Sequence, residues 1–126
     1  MPKIVFHSNS DVLRKRVSNL SPHQNWDITF SRSHVECIHL FQRIEPELVI
    51  IDTCMPDKPG ADTAKEILTS NSHTYIIMLS DIDTNNIRTM VLRSGTRDLL
   101  VKPFSDSELI FTINLYLEDL LNDKDS

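Results

Sequence analysis

The chain has 126 residues, and 13 Lys plus Arg against 18 Asp plus Glu leave a net charge of −5 with histidine neutral. Domains typically run to about 100–150 residues, so one domain is expected, and 40% apolar with 25% charged residues excludes a disordered, collagenous or membrane chain. The acidic balance argues against direct nucleic-acid binding, which needs clustered Lys and Arg to displace counterions from phosphates, and no block of positive charge is present.

Short apolar runs alternate with helical patterns along the whole chain. Lys3–His7 reads as a first strand, followed by a helix with the apolar stripe Val12, Leu13, Val17 and Leu20, capped by Ser10 or Asp11. Trp26–Phe30 is the second run, and Val35, Ile38, Phe41 and Ile44 the second stripe. Leu48–Ile51 is continuously apolar, as suits a central strand covered on both faces. Ala64, Ile67 and Leu68, then Tyr75–Leu79, then Ile87, Met90 and Val91, then Leu99–Val101 continue the alternation. The last helix carries Leu109, Ile113, Tyr116 and Leu120, opened by Ser105 and Glu108 in the S-x-x-E capping pattern. With no repeat or linker to split the chain, residues 1–121 are expected as one domain and residues 122–126 as a polar tail or the start of a linker.

Five strands alternating with five helices make an α/β sandwich with a parallel sheet, because each crossover must be right-handed and needs a covering helix. Chemistry in such a sheet sits at the carboxyl ends of the strands. The residues to read are therefore Ser8 and Asn9, Asp52, Ser80 and Asp81, and Lys102 with Pro103. The run Ile4-Val5-Phe6 is too short for a secretory leader, and nothing approaches the roughly 20 apolar residues of a membrane span, so a cytoplasmic location is expected. Cys37 and Cys54 lie in no CxxC and near no histidine pair at ligand spacing, which predicts free thiols. His34 and His39 fall on different faces of one helix and read as solvated surface histidines.

The strand-end residues resemble the active site of a receiver domain, the phosphoacceptor module of two-component (phosphorelay) response regulators. Asp52 is followed by Thr53-Cys54-Met55-Pro56 and then Gly60, similar to the family's acceptor Asp, Met-Pro and Gly. Ser80 stands at the position of the switch Ser or Thr, and the segment from Gly95 to Lys102-Pro103-Phe104 is similar to the family's Gly-Ala-x-Asp-x-Leu-x-Lys-Pro-Phe block. The resemblance covers Lys3 to Leu121. It implies a flavodoxin-like fold with a five-stranded parallel sheet in the order 2-1-3-4-5, and a signalling module, not an enzyme. It also implies a histidine kinase as partner and an output domain or other protein downstream, to which any transcription regulation would belong. Asp52 would take a phosphoryl group, Lys102 would pair with Asp52 or a phosphoryl oxygen, and the Ser80 hydroxyl would bond another oxygen. Pro103 would be the family's cis-proline.

Five positions depart from that pattern. Receivers carry two adjacent acidic residues after the first strand, which hold Mg²⁺ together with the acceptor; here those positions are Ser8 and Asn9. Three carboxylates and one lysine leave a charge for a divalent cation to neutralise, whereas Asp52 with Lys102 leaves none. With only Asp52 and the Cys54 backbone as ligands, Mg²⁺ binding is expected to be weak or absent, and no other cofactor is expected. Asp81 stands in place of a small residue and puts a carboxylate at the pocket mouth, where it repels an anionic phosphodonor. Leu99 replaces the Tyr or Phe of many receivers, and His7, where receivers are apolar, reads as a packed or locally hydrogen-bonded histidine.

The chain therefore reads as a pseudo-receiver that works mainly through protein contacts. A conventional receiver phosphorylated on Asp52 is the alternative. A flavodoxin-like flavin (FMN) carrier is a remote one, because the hydroxyl-rich Ser8-Asn9-Ser10 lacks a loop glycine and no Trp or Tyr lies where a flavin ring would stack. At about 100° per residue, Phe111 and Leu115 fall opposite the core stripe of the fifth helix, and Leu92 is off the stripe of the fourth. With Leu99 they form a candidate homodimer or partner surface on the face of the fourth helix, fifth strand and fifth helix, which receivers commonly use. The alternative is scattered surface hydrophobics.

Overall fold

The computed structural model describes residues 1–125, and their side chains through Asn122. In chain order the elements are β1 (Lys3–His7), α1 (Asp11–Gln24), β2 (Asp27–Ser31), α2 (His34–Ile44), β3 (Leu48–Asp52), α3 (Gly60–Ser70), β4 (Tyr75–Ser80), α4 (Asn85–Ser94), β5 (Asp98–Val101) and α5 (Asp106–Asp125). The strands pair in parallel in the order β2-β1-β3-β4-β5, the flavodoxin-like sheet implied by the resemblance. Residues expected as a polar tail are helical as far as Asp125, and Ser126 lies outside the described residues.

Alternation along the strands divides the interior into two cores. Ile4, Phe6, Leu48, Ile50, Ile77 and Leu79 face Leu13 and Val17 of α1 and Leu109 and Ile113 of α5. Val5, Val49, Ile51, Ile76 and Met78 face Cys37, Leu40 and Phe41 of α2, Ala64 and Ile67 of α3, and Val91 of α4. All five residues of β3 are buried, because helices cover both faces of this central strand. The register sets His7 beside Ile51, Asp52 beside Leu79, and Ser80 beside Val101, so the carboxyl ends of four strands finish on one edge of the sheet.

The caps act locally. Ser10, Ser33, Thr84 and Ser105 each accept a hydrogen bond from the backbone N–H three residues on, at 3.0–3.2 Å. Ser10, not Asp11, thus starts α1. That start places Val12 on the outer face, exposed, while Leu13 and Val17 are buried. The stripe predicted for α2 is also displaced: Val35 is exposed, and the buried line is His34, Cys37, Leu40 and Phe41. His34 is therefore no surface histidine, and it takes the inner position because its ring nitrogens find polar partners there; His39 is exposed as expected. In α4 only Val91 is buried, and Met90 faces outward.

One close approach holds the β3–α3 connection against the strand end. Gly60 donates its N–H to the Thr53 carbonyl at 3.1 Å, and a Cβ built on it would lie 2.2 Å from the Asp52 carbonyl oxygen and 2.9 Å from Ile51 Cγ2. The obstacle is backbone and cannot swing aside. Gly60→Ala is expected to cost about 1–3 kcal/mol, read as a lower urea midpoint with an unchanged m-value.

Candidate functional site

Asp52, 2% exposed, sits where β3 ends between β1 and β4. A buried carboxylate is stable only if its charge is paired and its oxygens accept hydrogen bonds. Lys102 Nζ lies 2.8 Å from Oδ2, the Ser8 hydroxyl donates to the same oxygen at 3.0 Å, and the Cys54 N–H donates to Oδ1 at 3.2 Å. Each donor is aimed by backbone. Ser8 donates its own N–H to the Ser31 carbonyl at 3.1 Å, and its hydroxyl accepts from the Ser10 N–H at 3.1 Å, which leaves its proton for Asp52. Lys102 follows β5, donates its N–H to the Ser80 carbonyl at 2.8 Å, and precedes a cis peptide bond to Pro103, as the resemblance implies. Arg16 secures the next turn. It donates to the Phe104 carbonyl at 2.6 Å, pairs with Asp106, and lies over the Phe104 ring.

The other expected residues divide into those the fold brings to Asp52 and those it does not. Asp81 reaches the site through Lys102, with Oδ1 3.7 Å from Nζ. Ser80 is 2% exposed, but its hydroxyl is committed to the β4–α4 loop, accepting from the Ile82 N–H and donating to the Ile82 carbonyl, both at 3.0 Å. A hydroxyl carries one proton, so Ser80 must release the Ile82 carbonyl before it can donate elsewhere. Asn9 is exposed. Leu99 is half-buried and packs on the core under α2, α3 and α4, whereas Leu92, Phe111 and Leu115 are 73%, 68% and 45% exposed. Three of the four expected surface residues are thus exposed, and Leu99 turns inward.

A divalent cation of the kind held by receivers needs anionic oxygens beside the acceptor carboxylate. From β1 and its loop this site offers a hydroxyl whose proton is already given to Asp52, and an exposed amide. The cation nearest the carboxylate is Lys102 itself. This donor set does not fit a hard divalent ion, and among the described residues no three His, Cys, Asp or Glu side chains gather in a metal-binding group.

Behind the site lies a polar cluster that short-range sequence patterns do not reveal. His7 is fully buried, with Nδ1 2.8 Å from the Ser31 hydroxyl, and among the described residues Nε2 has no hydrogen-bond partner. Desolvation pushes its pKa below the ordinary value. His34 ties α2 to the loop after Asp52. Its N–H donates to Asp57 Oδ2 at 2.6 Å, Nδ1 lies 2.7 Å from the Thr63 hydroxyl, and Nε2 lies 3.2 Å from Glu66 Oε2. The N–H of His34 is also the main reason that the Asp57 carboxyl is held below its usual range. Both cysteines are free; burial pushes the Cys37 thiol up to about 11, while Cys54 is exposed.

Residues 8–114 match the family model of the response regulator receiver domain. The chain belongs to that family. Among curated relatives, it is 25% identical over 108 residues to the transcriptional regulatory protein TrcR of Mycobacterium tuberculosis, which covers 86% of this chain and 42% of that protein. It is 28% identical over 79 residues to the chemotaxis protein CheY of Thermotoga maritima, covering 63% of this chain and 66% of the relative. The receiver domain of Francisella response regulator 1452 superposes with a TM-score of 0.88 at 26% identity, covering 94% of this chain and 98% of that one. A CheY-like receiver domain protein from Methanospirillum hungatei shares the fold with a TM-score of 0.90 at 13% identity, covering 98% of both chains. The receiver thus spans less than half the length of the regulator TrcR.

The buried His7 has a pH consequence. Its folded-state pKa lies below the ordinary histidine value of 6.5, so the unfolded chain binds the proton more readily in the window beneath that value. Stability from keeping the ring neutral is complete above about 6.5 and is lost as pH falls toward the folded-state value. His7→Asn should lose less stability than the unaltered chain between pH 7 and pH 5, compared by urea midpoints at the two pH values.

Proposed function

We propose that this receiver is a pseudo-receiver: a regulatory module of a two-component response regulator that acts mainly through protein contacts, with Mg²⁺-dependent phosphorylation of Asp52 weak or absent. The observation that carries this reading is the closed bonding of Asp52, whose Oδ2 is taken by Lys102 and Ser8 with no carboxylate from β1 beside it. Phosphoryl transfer depends on cancelling charge at the transferring oxygens. Lys102 is the cation at hand, and Asp81 lies 3.7 Å from it. A conventional phosphoacceptor is the second reading, favoured by one observation: Asp52, Ser80 and Lys102 all stand at the carboxyl edge of the sheet. In that case a histidine kinase is the donor. The flavin-carrier alternative is not carried further, since the chain belongs to the receiver family.

On this proposal the module sits in the cytoplasm, and its partners are an output domain or a separate protein. None of the described helices is long and apolar enough to cross a membrane. TrcR carries the name of a transcriptional regulatory protein, and an output of that kind is a proposal for the protein that contains this domain.

A magnesium titration followed by amide shifts tests the site. The unaltered chain should show no saturable change near Asp52 in the low-millimolar range, and Ser8→Asp with Asn9→Asp should create one while lowering metal-free stability through carboxylate repulsion. Saturation in the unaltered chain, with phosphoryl uptake from a small phosphodonor, would establish the conventional reading instead.

The exposed patch of Leu92, Phe111 and Leu115 is the proposed contact surface for a second copy or a partner. Phe111→Glu with Leu115→Glu should shift sedimentation from dimer to monomer, or remove partner binding, with the far-ultraviolet circular dichroism unchanged. A monomer before and after, with no partner lost, removes the patch from the proposal.

A further inference from the structure

Lys102 has two acidic partners, and they differ in kind. Its Nζ lies 2.8 Å from Asp52 Oδ2 and 3.7 Å from Asp81 Oδ1, and the two carboxylate side chains are 4% and 54% exposed. The three residues come from three neighbouring strand ends: Asp52 closes β3, Asp81 follows β4, and Lys102 follows β5. We propose that Asp81 is a positioning residue for Lys102, a second anchor that keeps the ammonium at the site whenever Asp52 releases it. Through that anchor the lysine, as the site's own cation, ties the β4–α4 loop to the end of β3. This rests on the pseudo-receiver reading and deepens it by naming the group that takes over the lysine.

The surroundings leave Asp81 as the one acidic partner of Lys102 besides Asp52 among the described residues. Ser8 spends its proton on Asp52, and Ser80 is bound at both ends of its hydroxyl by Ile82. Arg16 on α1 is committed to Asp106 and the Phe104 carbonyl, and Asp83 in the same loop pairs with Arg88 at 2.7 Å. The two bonds between Ser80 and Ile82 flank Asp81 and fix the backbone that presents it. An ammonium has three donors on a flexible four-carbon stem, so a small torsion converts the 3.7 Å approach into a hydrogen bond without moving the backbone. While Asp52 holds the lysine, the exposed Asp81 adds the modest attraction of a surface pair, enough for a several-fold effect on opening of the loop. Its effect grows when Asp52 is neutralised, because Lys102 then has one carboxylate left. The β4–α4 loop leads directly into α4 and the exposed Leu92, so the state of Asp52 reaches the proposed contact surface through one lysine.

The test uses the whole chain, with lysines carrying ¹³C-methyl groups and the Lys102 signal identified by its loss in Lys102→Arg. In Asp52→Asn, nuclear Overhauser contacts from the Lys102 methyls to the Asp81 β-protons should strengthen. Loss of those contacts, with the Lys102 signal moving to the position of an exposed lysine, would overturn the proposal. Separately, Asp81→Asn should speed hydrogen exchange several-fold at the Ile82, Ile87 and Arg88 amides, whose hydrogen bonds order the loop, and Asp81→Glu should restore it. Equal rates in all three proteins would also overturn it. The exchange arm keeps the proposal exposed if Asp52→Asn fails to fold. The magnesium titration is independent of both arms: tight metal binding with the Asp81 effects intact sinks the pseudo-receiver reading and leaves the anchor, and weak binding without them does the reverse.

Discussion

The arrangement of this receiver follows from one buried ion pair. A carboxylate at 2% exposure is tolerable only with a cation and hydrogen-bond donors around it. The parallel sheet supplies those partners by ending its strands on one edge. Lys102 arrives from β5, Ser8 from β1, and the Cys54 N–H from the turn after β3 itself. Everything that holds those ends in line therefore also holds the charge. That includes the complete burial of β3 and β4, the approach of Gly60 to the Asp52 carbonyl, and the Arg16 contacts that secure the turn after Pro103.

Asp52 is surrounded in a way that makes the site self-contained. In a site built around a divalent ion, repelling carboxylates wait for a cation to relieve them. Here the relief is internal: the Ser8 hydroxyl donates a hydrogen bond to Asp52, and Lys102 provides the positive charge. The Ser80 hydroxyl is occupied by its own loop. On the proposed reading, such a site suits a module whose state is set by contacts with other proteins, with Asp81 and Lys102 holding the β4–α4 loop.

A second polar layer beneath the site serves mainly to fix the loop from Thr53 to Pro59. His34 connects that loop to α2 through Asp57 and to α3 through Thr63 and Glu66. His7 and Ser31 share a hydrogen bond inside the sheet, next to the buried Cys37. A histidine with one ring nitrogen unpartnered among the described residues is costly to bury, and the cost rises when it is charged, so burial favours the neutral ring.

Local chemistry made much of this legible from the residues alone. Alternation of five apolar runs with helical stripes specified the βα order, because each crossover to a parallel strand needs a helix. Ser105 with Glu108 named the cap of α5, Ser10 was one of two candidates for α1, and the strand-end positions named Asp52, Ser80, Asp81 and Lys102, since parallel sheets place functional groups at that edge. What the sequence left open depends on contacts between residues far apart in the chain. The choice between Val35 and His34 as the inner residue of α2 was decided by Thr63 and Glu66, and the shift of Val12 to the outside by the capping turn of Ser10. The hydrogen bond from Ser8 to Asp52 spans 44 positions and could not be read from spacing, and the Lys102 pair, which spans 50, was legible only through the family resemblance. Periodicity says that a side chain faces inward; only the packed neighbours determine which polar atoms it finds there.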